Sequence, residues 1–193
     1  MTGEISLDPK SSALLVMDFQ TLIVENFADG GQALLVRTAR LIEAVRKAEM
    51  RVIYIIVGFR EGHPEVNLRN LSFGPIRRSG MFAAGSAGTE IHSAVLPRPD
   101  DAVVTKHRVG AFFGTDLDMI LRSNDIETLV LTGIATSGVV LSTLRHAADA
   151  DYRIIVVADC CADRDPDVHG VLTEKVFPRQ ARVLSCEEML AAL

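Results

Sequence analysis

Three features of this chain could do chemistry: a carboxylate at Asp18, an ammonium at Lys106, and a turn, Gly133-Ile-Ala-Thr-Ser-Gly-Val139-Val-Leu-Ser-Thr143, that opens an apolar helix. Asp18 directly follows the apolar run Leu14-Leu-Val-Met17. A carboxylate placed there is at least partly desolvated, which favours its protonated form and suits it to proton transfer. Lys106, after Val103-Val-Thr105, can supply positive charge. A turn entering a helix presents backbone N–H groups to a developing anion. The turn carries Val139, whose side chain can neither attack nor move a proton.

These positions acquire meaning from the elements that carry them. Short β-branched runs alternate with segments of helical period, which predicts an α/β chain with a three-layer Rossmann-like fold, a mostly parallel sheet flanked by helices on both faces. Strands are expected at Ala13–Met17, Val52–Val57, Ala102–Thr105, Thr128–Thr132, Arg153–Val157 and Ala181–Leu184. Gln32–Glu49 reads as an amphipathic helix with Leu34, Leu35, Leu41, Ile42 and Val45 on one stripe. Further helices are expected at Asp116–Arg122, Gly138–Ala150, Asp165–Val176 and Cys186–Ala192, the third with Asp165 as N-cap and Pro166 at its first position. The stretch Gly58–Asp101, rich in Gly, Pro, Ser and Arg, is expected to be a lid, binding loop or oligomer contact. In such a sheet ligands sit beyond the carboxyl ends of the strands, and Asp18, Lys106 and Val139 all fall there.

With 193 residues, 48% of them hydrophobic, one domain over 1–193 with one well-buried core is expected. A net charge of −5 with dispersed Lys and Arg leaves no footprint for nucleic acid or an anionic membrane surface. The amino-terminal residues lack a basic start and a long apolar stretch, so no signal peptide is read, and no apolar run is long enough to span a membrane. Three cysteines, two of them adjacent, suit a reduced, cytoplasmic setting better than a disulfide framework.

The turn resembles the active-site turn of the isochorismatase-like cysteine hydrolases, in which a Gly-x-x-Thr-Ser-Gly-Cys-Val-x-x-Thr pattern carries the catalytic Cys. Every recognisable position matches except Val139, which stands where the family has its nucleophile. Asp18-x-Gln20, Lys106 followed by Ala111-Phe-Phe-Gly-Thr115, and Asp159-x-x-Ala162 extend the resemblance from about Ala13 to about Pro178. It implies that Asp18, Lys106 and position 139 form one site, and that the backbone around Ile134, Ala135 and Gly138 makes an anion hole with a cis peptide between Ile134 and Ala135. It also implies that Gln20 and Phe112 contribute to substrate binding, that no cofactor is needed, and that the protein is a homo-oligomer acting on a small molecule. Taken singly, an Asp after a strand is a turn former and a Lys there a solvated charge; their joint occurrence with the turn, in the family's order, marks them as site-forming.

Other residues offer little to replace the thiol. Thr136 and Ser137 are expected as turn or N-cap hydroxyls, and Ser142 lies one turn into the helix. Cys160, Cys161 and Cys186 are expected to pack in the core or start a helix. Arg60-Glu-Gly-His-Pro64 is similar to the segment that supplies two metal ligands in nicotinamidases, which makes Glu61 and His63 weak metal candidates. The third ligand of that relative would fall near Met81, so no metal is assigned. His92, His107, His146 and His169 show no metal spacing.

Three readings stay open. In the first, an isochorismatase-type hydrolase works without Cys, Asp18 acting as acid or base and Lys106 as its electrostatic partner; authentic isochorismatases also lack the Cys. Arg60, Arg69, Arg77, Arg78 and Arg108 are then the candidates to clamp substrate carboxylates. In the second, an amide or C–N hydrolase uses water activated by Asp18, at a slower rate. In the third, a non-catalytic member keeps the pocket for binding or assembly, with Phe112 and Phe113 lining it.

Overall fold

The run Ser12-Ala-Leu-Leu-Val-Met17 is buried at every residue, as a central strand covered on both faces must be. A computed structural model describes residues 7–27 and 31–193; the first six residues, part of the segment inspected for a leader, lie outside it. Six strands, β1 (Ser12–Met17), β2 (Arg51–Val57), β3 (Ala102–Lys106), β4 (Thr128–Ile134), β5 (Arg153–Ala162) and β6 (Arg182–Leu184), form one parallel sheet in the order β3-β2-β1-β4-β5-β6. The chain builds outward from β1 to β3 and then returns to place β4 on β1's other side, so the order reverses between β1 and β4. That reversal is where a parallel sheet opens a ligand crevice.

Alternation along the strands feeds two cores. Leu14 and Val16 of β1 pack with α1 (Thr21–Phe27), α2 (Gly31–Lys47) and α7 (Cys186–Ala191), whereas Ala13, Leu15 and Met17 pack with α4 (Leu117–Arg122), α5 (Leu141–Asp149) and the helical segment that begins at Leu172. The expected stripe of α2 is buried together with Thr38. Between β2 and β3 lie α3 (Gly74–Ser79) and a 3₁₀ turn, Ser93–Val95, so the segment read as a loop carries structure of its own. Phe59, Val66, Phe73, Phe82 and Val95 anchor it to the core.

The departures from expectation have physical causes. Helix α1 was missed because Thr21-Leu-Ile-Val is β-branched and apolar, a strand-like composition; Ile23 and Val24 donate their N–H groups to Gln20 O and bury their side chains. The helix expected over Gly138–Ala150 begins instead with a π turn, Thr136–Val140, before α5. The one expected over Asp165–Val176 is α6 (Pro166–Val171), N-capped by Asp165, followed by a π segment, Leu172–Val176. Strand β5 extends five residues past its expected end at Val157, because Leu131 pairs Val156 while Gly133 already pairs Cys161: extra residues are accommodated by a register shift. Gly133 is required by this crowding, since a Cβ there would lie 3.0 Å from Met17 O.

Candidate functional site

Asp18 leaves β1 with φ +59, in the left-handed region that Asp tolerates better than most residues, and its N–H donates to Ile55 O at 2.8 Å. The turn directs its carboxylate toward Lys106, the last residue of β3. Lys106 Nζ lies 2.9 Å from Asp18 Oδ2, with both side chains at least nine-tenths buried (3% and 6% exposed), and also donates to Arg108 O at 3.1 Å. The second carboxyl oxygen, Oδ1, is buried and, among the described residues, has no hydrogen-bond partner. Burial holds the Asp18 carboxyl above the ordinary carboxylate range, and the lysine offsets only part of that effect.

Opposite this pair, β4 ends in the cis peptide Ile134–Ala135 and runs into the π turn. Gly138 and Val140 both donate their N–H to Ala135 O, at 3.1 and 3.3 Å, which leaves the Val139 N–H outside that pair. The segment after β5 braces the turn: Asp163 Oδ2 accepts from Ser137 N at 2.7 Å, and Thr136 Oγ1 pairs with His169 Nδ1 at 2.8 Å. Of the two roles expected for these hydroxyls, turn or N-cap, the cap is not made. Thr136 is spent on His169, and Ser137 is exposed, with its backbone engaged instead. Partial burial pushes the His169 imidazole pKa down, opposed by the Asp163 carboxylate.

Between the pair and the turn lies a cleft of about 460 Å³. Asp18, Lys106, Ile134, Ala135, Gly138 and Val139 all line it, together with Leu22, Ile23, Val57, Phe73, Phe82 and Val109, so residues from β1, β3 and the β4 turn converge as their strand-end positions suggested. Gln20 and Phe112 do not. The Gln20 amide is consumed by Val57 N, Val57 O and Thr89 O at 2.7–3.0 Å, tying the long segment to the end of β2. Phe112 is buried in the core beneath α4 and α5 and stacks on His146 at 4.3 Å, while Phe113 is 70% exposed. None of Arg60, Arg69, Arg77, Arg78 and Arg108 lines the cleft; Arg164 does. The strand-end rule would have found Arg164 had β5 been read to its true end.

The remaining candidates have other work. His63 is buried, stacks on Phe59 at 5.0 Å and places Nε2 2.7 Å from Met81 O, while Glu61 is exposed. Among the described residues no three His, Cys, Asp or Glu side chains are grouped to hold a metal. Cys160, Cys161 and Cys186 are free thiols buried in the core, and burial pushes the Cys161 thiol up to about 12. Asp159 fastens α2 and α7 to β5, accepting from Cys186 N at 2.6 Å and lying 3.5 Å from the Arg37 guanidinium.

Residues 12–188 match the isochorismatase domain. An uncharacterized isochorismatase family protein, YecD of Escherichia coli O157:H7, is 31% identical over 98% of this chain and 100% of its own length. Ureidoacrylate amidohydrolase RutB of Methylobacterium radiotolerans is 30% identical over 84% of this chain and 71% of its own. The structure of N-carbamoylsarcosine amidase from Thermoplasma acidophilum superposes with a TM-score of 0.74 at 31% identity, covering 92% of this chain and 97% of the amidase. Among the described residues, no helix is long and apolar enough to cross a membrane. A six-stranded parallel sheet whose order reverses beside a buried Asp–Lys pair, matched along nearly its whole length by these relatives, makes this chain a member of the isochorismatase family of hydrolases.

Proposed function

We propose that the protein hydrolyses a small molecule without a covalent enzyme intermediate, with Asp18 transferring the proton, Lys106 as its electrostatic partner, and the backbone around Ile134–Val139 stabilising negative charge. The observation that carries this reading is the unpartnered Asp18 Oδ1: a buried carboxyl oxygen on the cleft wall whose twin is held by Lys106. Unmet hydrogen-bonding capacity at a buried polar atom costs free energy and points to a group that arrives with the substrate. A carboxyl with a raised pKa is a better proton donor near neutral pH than an ordinary one.

On an enol ether, Asp18 delivers its proton to the vinyl carbon, and the carbon bearing oxygen becomes an oxocarbenium. Water adds there, the hemiketal breaks to a carbonyl compound and an alcohol, and Asp18 recovers a proton from that water. Val139 forms part of the wall at the position where the resemblance to cysteine hydrolases would place the thiol. Assays against vinyl ethers, amides and ureides test this: turnover that survives Val139→Ala and disappears in a folded Asp18→Asn supports it. Turnover that persists in Asp18→Asn sinks it.

A second reading is favoured by the relatives named for amide and ureide hydrolysis. In it, Asp18 activates water against a C–N bond, and catalysis is slow because the covalent route is missing. Slow amide hydrolysis in the wild type, rising in Val139→Cys, is its signature.

A further inference from the structure

The long segment between β2 and β3 meets the cleft with apolar side chains alone. Asp18, Lys106 and the β4 turn bring charge and backbone donors to it, whereas the described lining residues of the segment are Phe73, Ile76, Met81 and Phe82. A polar part of a ligand set against those four would leave water and find no side chain to hydrogen-bond. An apolar part would gain from the burial.

The segment is braced so as to hold this wall. Phe82 has φ +60, in the left-handed region that a bulky residue occupies only when its surroundings impose it. Phe59 imposes part of it: its N–H donates to Phe82 O at 2.9 Å, and its carbonyl accepts from Ala84 N at 2.8 Å. The Phe59 ring also packs edge-on against Phe73 at 5.8 Å and stacks on His63 at 5.0 Å. His63 is 2% exposed, lies at φ +51, and has Nε2 2.7 Å from Met81 O. A carbonyl oxygen only accepts, so Nε2 carries a proton and donates it. His63 is not among the lining residues; it acts on the wall through the backbone of Met81, next to Phe82.

We propose that this segment sets the specificity of the site: it takes an apolar substituent of the substrate, aryl or branched alkyl, with Phe82 determining the preference and His63 a positioning residue that holds Met81 and Phe82 in the wall. The proposal rests on the reading of the cleft as the substrate site. It gives the Arg60-Glu-Gly-His-Pro64 motif a role that needs no metal.

Ligand-observed NMR titration near neutral pH tests it with three uncharged probes, so that the protonation of Asp18 does not enter the comparison: 3-phenylpropanamide; propanamide, which lacks the ring; and succinamide, which replaces the ring with a second amide. The wild type should bind 3-phenylpropanamide about ten-fold or more tightly than either of the others. Phe82→Asn, whose side chain suits the left-handed backbone, should bring the three to within about three-fold of one another. Phe82→Leu, apolar but smaller, should lose about three-fold of the preference and carries the test if Phe82→Asn does not fold. His63→Leu should weaken 3-phenylpropanamide and leave propanamide unchanged, and His63→Gln, which keeps an N–H donor, should restore the preference. Propanamide or succinamide binding as tightly as 3-phenylpropanamide, no binding of 3-phenylpropanamide, or an undiminished preference in a folded Phe82 variant overturns the proposal. A loss in His63→Leu shared equally by the two amides, or no rescue by His63→Gln, overturns the positioning role. Because the preference is read from binding at equilibrium, absence of turnover on every vinyl ether, amide and ureide counts against the hydrolytic mechanism alone.

Discussion

Lys106→Met isolates the energetics of the buried pair. Both side chains lie almost wholly out of water at 2.9 Å separation, a setting in which removing one partner strands the other. Stranding a buried charge costs about 3–5 kcal/mol, and the lost bond to Arg108 O adds to it. The stranded carboxyl has an escape, because it can protonate. Lys106 is the group that lowers the Asp18 pKa against burial, so its removal drives that pKa still further above the ordinary value of 3.8. A native pKa above the unfolded one stabilises fully below the unfolded value, and that contribution is lost as pH rises to the native value. The variant's deficit should therefore grow with pH, by up to about 1.4 kcal/mol per unit within that window. Urea unfolding near pH 5 and near pH 8, with slopes checked for equality, measures it. Asp18→Asn/Lys106→Met should recover part of the loss at the higher pH, since Asn tolerates the positive φ and no charge remains. A deficit under about 1 kcal/mol near pH 8, or one that does not change with pH, would refute the pairing energetics described here.

Other outcomes follow from the same geometry. Native wild-type protein should resist iodoacetamide, because Cys160, Cys161 and Cys186 are buried thiols with raised pKa values, whereas Val139→Cys should take up one adduct by mass spectrometry; equal labelling of the two would place residue 139 away from the cleft. If Asp18 donates the proton, kcat/KM should fall as pH rises through a value above the ordinary 3.8, and a rate that climbs with pH over that range would make Asp18 a base. Gln20→Ala leaves Val57 N, Val57 O and Thr89 O without their partner and should cost about 2–3 kcal/mol in urea unfolding; a neutral effect would return Gln20 to the binding residues.

The strands were legible because each is a short apolar run between polar or turn-forming segments, although the end of β5 was not, and the strand-end rule then picked out Asp18, Lys106 and the β4 turn without reference to their contacts. Two kinds of information were not legible. The first is tertiary compensation: Gln20 looks like a site residue beside Asp18, yet its amide serves as the clamp between β2 and the long segment, which only the folded chain reveals. The second is register. The shift between β4 and β5 depends on how Gly133 meets Cys161, and no local pattern announces it. Ending β5 too early left Arg164 in an apparent loop rather than at a strand end, and the search for cations went to the arginines between β2 and β3 and to Arg108 just after β3.

Thiolate chemistry at position 139 would need a carboxylate to take the proton and backbone donors to hold the oxyanion. Here the carboxylate has its lysine and, among the described residues, one oxygen without a partner, and the turn is braced by Asp163 and His169. The aliphatic side chain of Val139 continues the apolar wall formed by Ile23, Val57 and Val109, beside the buried Asp18–Lys106 pair.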